Sequence, residues 1–151
     1  MLLSENFTLA EMLKSQTAER MGIANYPHDT HIECLKDLCV NILEPIRAHY
    51  RKPIQPSSGF RSELLCEVIN SKKTSQHALG QAVDFEVMGV ANEDLCRWII
   101  DNLEFDQLIL ECYTGGNSGW VHCSYSDQHR REVLTYDRIN GYRKGLVVPD
   151  W

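Results

Sequence analysis

The sequence lacks any run of roughly 20 apolar residues, so it offers no candidate for a membrane-spanning helix. It opens MLLSENFTLAEML, without the basic start and long apolar stretch of a secretory leader. Synthesis in the cytoplasm is therefore expected, and work outside the cell would need a separate agent of release. Positive charge is scarce. Lys and Arg number 15 against 21 Asp and Glu, a net charge of −6. That balance argues against a nucleic-acid partner, which calls for a basic face. No CxxC pair occurs among the six cysteines at 34, 39, 66, 96, 112 and 123, which excludes a zinc ribbon. Apolar neighbours such as Leu38 and Val40 around Cys39 indicate buried, reduced thiols rather than a disulfide framework. Internal repeats and low-complexity tracts are absent as well.

What is present suits one folded domain spanning residues 1–151, with 43% hydrophobic and 24% charged residues. Thr8 and Glu11 have capping-box spacing and open a helix over 8–20, with Gly22 as its stop. Asp29 or Thr30 caps a longer helix. There Ile32, Leu35, Leu38, Cys39, Ile42, Leu43 and Ile46 recur at helical spacing, and Pro45 is placed to kink it. A short strand and turn precede Arg61, and 63–70 reads as a helix. Residues 81–87 read as a strand, 91–103 as a helix with Asn92 as its cap. Further strands are expected over 105–111, 120–125 and 133–136. Helices first and strands later predict an α+β fold, a central antiparallel sheet with helices mainly on one face.

Chemistry concentrates in two stretches. Ser75 to Asp84 fits S-x-H-x-x-G-x-A-x-D. His77 offers an imidazole nitrogen and Asp84 a carboxylate oxygen, both good zinc ligands. On one continuous strand their odd spacing would set them on opposite faces, so a bend is required, and Gly80 permits it. In Gly119 to Tyr125, alternation puts Trp120, His122 and Ser124 on one face. His122 would complete a set of two histidines and a carboxylate for one zinc ion, leaving a fourth position open for water. His28, His31, His49 and His129 read as surface residues.

A zinc hydrolase needs a general base. Alternation places Gln107, Ile109 and Glu111 on one face, and symmetric pairing about the intervening loop would set Glu111 opposite His122, about 5 Å away at Cβ. Glu111 is thus the candidate base, against a plain solvated carboxylate, with Asp106 as the alternative. Arg61, after a Ser-Ser-Gly turn, can grip a substrate carboxylate or an oxyanion, or be a surface charge. Ser57, Ser58 and Ser75 are candidates for hydrogen bonds that support the site and its substrate.

The S-x-H-x-x-G-x-A-x-D motif, the W-x-H strand at Trp120 and His122, and the S-G-F-R-S turn at 58–62 together resemble the zinc D-alanyl-D-alanine carboxypeptidase family. Phage murein endopeptidases and the hedgehog signalling domain share its fold. The resemblance runs from the N-terminal helix to about Tyr125, and the stretch Phe7 to Met12 looks like a phage or prophage branch. It implies zinc on His77, Asp84 and His122, with Arg61 steadying substrate and transition state and Trp120 as a wall of the cleft. It implies cleavage of a peptide bond in the peptidoglycan stem by a monomer that reaches the wall after release. Many relatives carry an acidic base three residues before the last histidine, where this chain has Gly119, so Glu111 is expected to take that role. The competing expectations are a zinc-binding module without turnover and a virion or tail component.

Overall fold

The computed structural model describes residues 1–72 and 74–148. The N-terminal capping box forms as the spacing predicts, with Thr8 Oγ1 accepting from Glu11 N at 3.2 Å and Glu11 Oε1 accepting from Thr8 N at 3.0 Å. The expected single helix over 8–20 is instead two, α1 (Leu9–Leu13) and α2 (Gln16–Met21). Lys14 is extended, and Ser15 starts α2 by accepting from Ala18 N at 3.1 Å. A serine cap inside a helical stretch offers the backbone an alternative to continuing.

The long helix is α3 (Asp29–Leu38), a π-helical turn (Cys39–Leu43) and α4 (Glu44–Tyr50). Pro45 has no N–H to give, and the widened turn immediately before it accommodates the defect. After β1 (Ile54–Ser58) come α5 (Glu63–Val68), β2 (Ala82–Val87), α6 (Asn92–Asn102), β3 (Gln107–Glu111), β4 (Trp120–Ser124), β5 (Glu132–Asp137) and β6 (Gly141–Lys144). The last strand was not expected from the sequence. Nor is Asn92 the cap of α6: Ala91 occupies that position, and the Asn92 amide instead donates to Glu86 Oε1 and to the carbonyls of Ser118 and Gly119.

The six strands form one sheet in the order β1-β2-β4-β3-β5-β6. The fold is α+β as expected, but the sheet is mixed rather than wholly antiparallel, because β3 and β5 run parallel. Since β4 ends beside the start of β3, residues 125–131 need only cross that end of β3. The chain then continues in the direction of β3, so no crossover helix is required.

Alternation divides the sheet into two faces. One carries Val83, Phe85, Leu108, Leu110, Val121 and Cys123, all fully buried with Leu35, Leu38 and Ile42 of the long helix and Leu95 and Ile99 of α6. Each large side chain there contributes about 1.5–3 kcal/mol through its removal from water. The opposite face carries Asp84, His122, Ile109, Glu111 and Leu134 and is left open as a cleft. All six cysteines are free thiols, four of them buried. Among the described residues no helix is long and apolar enough to cross a membrane.

Candidate metal centre

Asp84 and His122 sit directly opposite each other on the neighbouring strands β2 and β4. His77 reaches them from the turn before β2. That turn depends on Gly80, whose φ is +76°, and a Cβ there would meet the His31 carbonyl oxygen at 2.6 Å. The required bend is present, and the glycine is needed twice, for its conformation and for the close approach. Gly80→Ala is expected to cost about 1–3 kcal/mol of stability, measured by urea unfolding. An unchanged midpoint would show that the turn relaxes freely.

The ligand atoms of His77, Asp84 and His122 all lie within 4.8 Å of one another. His77 Nδ1 is 2.7 Å from the Gly59 carbonyl oxygen. A carbonyl only accepts, so this nitrogen carries the ring proton and Nε2 points into the site. Nε2 lies 3.4 Å from Asp84 Oδ1, and His122 Nδ1 lies 3.0 Å from the same oxygen. Burial lowers the His77 pKa despite the pull of Asp84, which favours the neutral ring. A neutral Nε2 then aims a lone pair at a carboxylate oxygen. Two electron-rich atoms face each other stably only with a cation between them, so the donor set fits a metal ion.

Burial opposes ionisation of Asp84. A hydrogen bond from His122 leads the causes that outweigh it and hold the carboxyl well below its usual range. Its second oxygen, Oδ2, accepts from Arg61 Nη2 at 3.3 Å. Arg61 Nε donates to Ser58 Oγ at 2.9 Å, and Arg61 N donates to the His77 carbonyl. Arg61 is therefore no loose surface charge: in this arrangement it orients the Asp84 carboxylate from the edge of the cleft. Ser75 Oγ accepts from His77 N at 3.2 Å, and Ser57 Oγ donates to the Asp84 carbonyl at 3.2 Å.

Glu111 lies on the same face, but not opposite His122. The register pairs Ile109 with His122 and Glu111 with Trp120. The loop between the strands runs over 112–119, and pairing symmetric about it sets Glu111 against Trp120, two residues before His122. The shift is two residues, an even number, so the face is kept and Glu111 becomes a diagonal neighbour of His122. Burial raises the Glu111 carboxyl above its ordinary range, and the Asp84 charge adds to this. His122, Trp120 and Arg61 act in the opposite sense.

Two other sources of a base fail. Gly119 has φ +68°, and a Cβ there would collide with the Glu111 carbonyl, so this backbone has no room for an acidic side chain at that position. Asp106 is 2% exposed, and its oxygens accept from Gln76, Ser126 and the Arg130 backbone. It ties the loops beside the cleft together and is not free to take a proton. Of the remaining histidines, His28 and His49 are exposed, as expected. His31 is half-buried, its ring 4.7 Å from that of Phe60.

The donors open into a cleft of about 730 Å³ whose lining includes Arg61, Ser75, Glu111 and Trp120. Sequence reasoning missed Gln76, Arg130, Leu134 and Tyr142, which also line it. Alternation over 132–137 could have placed Leu134 on a strand face, but nothing local says which strand lies next to it. No curated protein matches the chain. The α+β architecture is compatible with the hedgehog-like fold of the peptidase family suggested by its motifs. A family model described as Peptidase M15 matches residues 5–124, the span that contains the whole donor set and Glu111, and the chain belongs to this family of metallopeptidases.

Proposed function

We propose that the protein is a zinc peptidase that hydrolyses a peptide bond in the stem of peptidoglycan. The observation that carries this reading is the convergence of His77 Nε2, Asp84 Oδ1 and His122 Nδ1 in an open cleft beside Glu111. Two nitrogens and one oxygen form a donor set typical of catalytic zinc, which keeps a position open for chemistry. A zinc ion held there supplies Lewis acidity to the scissile carbonyl and acidifies water. Glu111 takes a proton from the attacking water and passes it to the leaving amine. Its raised pKa suits a group that must both accept and return a proton. Arg61 keeps Asp84 oriented and lends positive charge beside the developing oxyanion. Trp120 walls the cleft at the Glu111 end, while Ser58 and Ser75 hold Arg61 and the His77 backbone in place. The substrate class rests on the motif resemblance and the family; action on the wall follows release from the cell.

Digestion of soluble muropeptides by the zinc-loaded protein, read by mass spectrometry, tests this. One peptide bond is expected to be cut, with activity lost to a chelator and restored by zinc. Muropeptides left intact by fully zinc-loaded protein would overturn the proposal and leave a binding module in its place.

A further inference from the structure

The cleft does not end where the family match ends. Strands β5 and β6 lie beyond residue 124 and extend the same open face. The parallel register sets Leu134 beside Ile109 and Tyr136 beside Glu111. Tyr142 on β6 pairs with Tyr136, their ring centroids 4.6 Å apart. Leu134 and Tyr142 line the cleft together with the metal donors, and Tyr142 is 62% exposed. A large aromatic ring left this open on a cleft wall has contact area to offer a ligand.

The chemistry then assigns a direction. In hydrolysis the water oxygen bonds to the carbonyl carbon and the C–N bond breaks. The hydroxyl stays on the acyl product, and the proton taken by the base goes to the amine. If one carboxylate does both transfers, the leaving nitrogen must lie next to Glu111. Glu111 stands at the end of β3 nearest Trp120, Tyr136 and Tyr142. Gln107 stands at the other end of β3, and Gln76 and Arg130, joined by a hydrogen bond, line the same cleft.

We propose that Tyr142, with Leu134, forms the subsite for the residue on the amine side of the scissile bond, and that it takes an apolar side chain against the tyrosine ring. The acyl part of the substrate then lies toward Gln107, Gln76 and Arg130. This rests on the peptidase reading, and it adds a polarity and a specificity element from a hairpin outside the matched region.

The test uses the zinc-loaded full chain with soluble disaccharide-pentapeptide muropeptides, and then the two purified products of that digestion as inhibitors. Tyr142→Ala is expected to raise KM about tenfold with kcat held within about twofold. Inhibition by the amine product should weaken about tenfold, while inhibition by the acyl product stays the same. Tyr142→Phe keeps the ring and should restore wild-type behaviour. Unchanged amine-product inhibition in Tyr142→Ala, or weakened acyl-product inhibition instead, would overturn the inference while leaving the peptidase reading intact. Failure of Phe to rescue would overturn packing against the ring as the source of binding. No cleavage by the zinc-loaded wild type would overturn both readings.

Discussion

His122→Ala should lose zinc affinity by more than about a hundredfold, beyond the 10–100-fold typical of a lost partner outside the ligand shell. Three donor atoms converge in the wild type, and this change leaves only His77 Nε2 and Asp84 Oδ1. It should not unfold the protein. The His122 side chain faces the cleft rather than the core, and Asp84 keeps its contact with Arg61 at 3.3 Å. Metal content after dialysis, with circular dichroism as a check on folding, reads both. Stoichiometric zinc retained by a folded His122→Ala protein would show that the ligand set is wrong. A buried carboxylate without its histidine partner loses a hydrogen bond that keeps it ionised, so some loss of stability is expected beside the loss of metal.

Glu111→Gln should leave zinc bound and reduce hydrolysis by about 10²–10⁴-fold, the usual contribution of a general base. Glutamine has nearly the same shape, but its amide cannot accept and return a proton. Neither of the two alternative positions can compensate. A side chain at position 119 would collide with the Glu111 carbonyl, and Asp106 is held by Gln76, Ser126 and Arg130. Muropeptide turnover and zinc content measured on the same preparation separate the two effects. Full turnover by Glu111→Gln would remove Glu111 from the mechanism. Loss of zinc along with turnover would instead mean that the residue helps hold the metal.

The local features were legible because their causes are local. The capping box at Thr8 and Glu11 needs only residues three apart. The apolar rows of the long helix and the alternation in β2, β3 and β4 follow from helical and strand periods of 3.6 and 2. The break at Ser15 was also readable, since serine is a strong cap and the apolar row stops at Leu13, but the helix-favouring residues Gln16, Ala18, Glu19 and Arg20 beyond it hid the signal. The π-helical turn before Pro45 was legible only as a kink. How a helix absorbs a missing N–H depends on what its turns pack against.

The donor set divides along the same line. His77 and Asp84 belong to a short motif whose glycine has a geometric reason, and the sequence alone placed both on one site. It also put His122 and Glu111 on a common face, because a register error of two residues preserves the face of every side chain. That His122 stands opposite Asp84, that Glu111 stands opposite Trp120, and that Arg61 grips Asp84 were decided by tertiary structure alone. So was the addition of Leu134 and Tyr142 to the cleft. Strand order, parallel pairing and loop length are settled by which arrangement buries one face of the whole sheet against the helices. That comparison involves residues far apart in the chain, and no local window of sequence contains it.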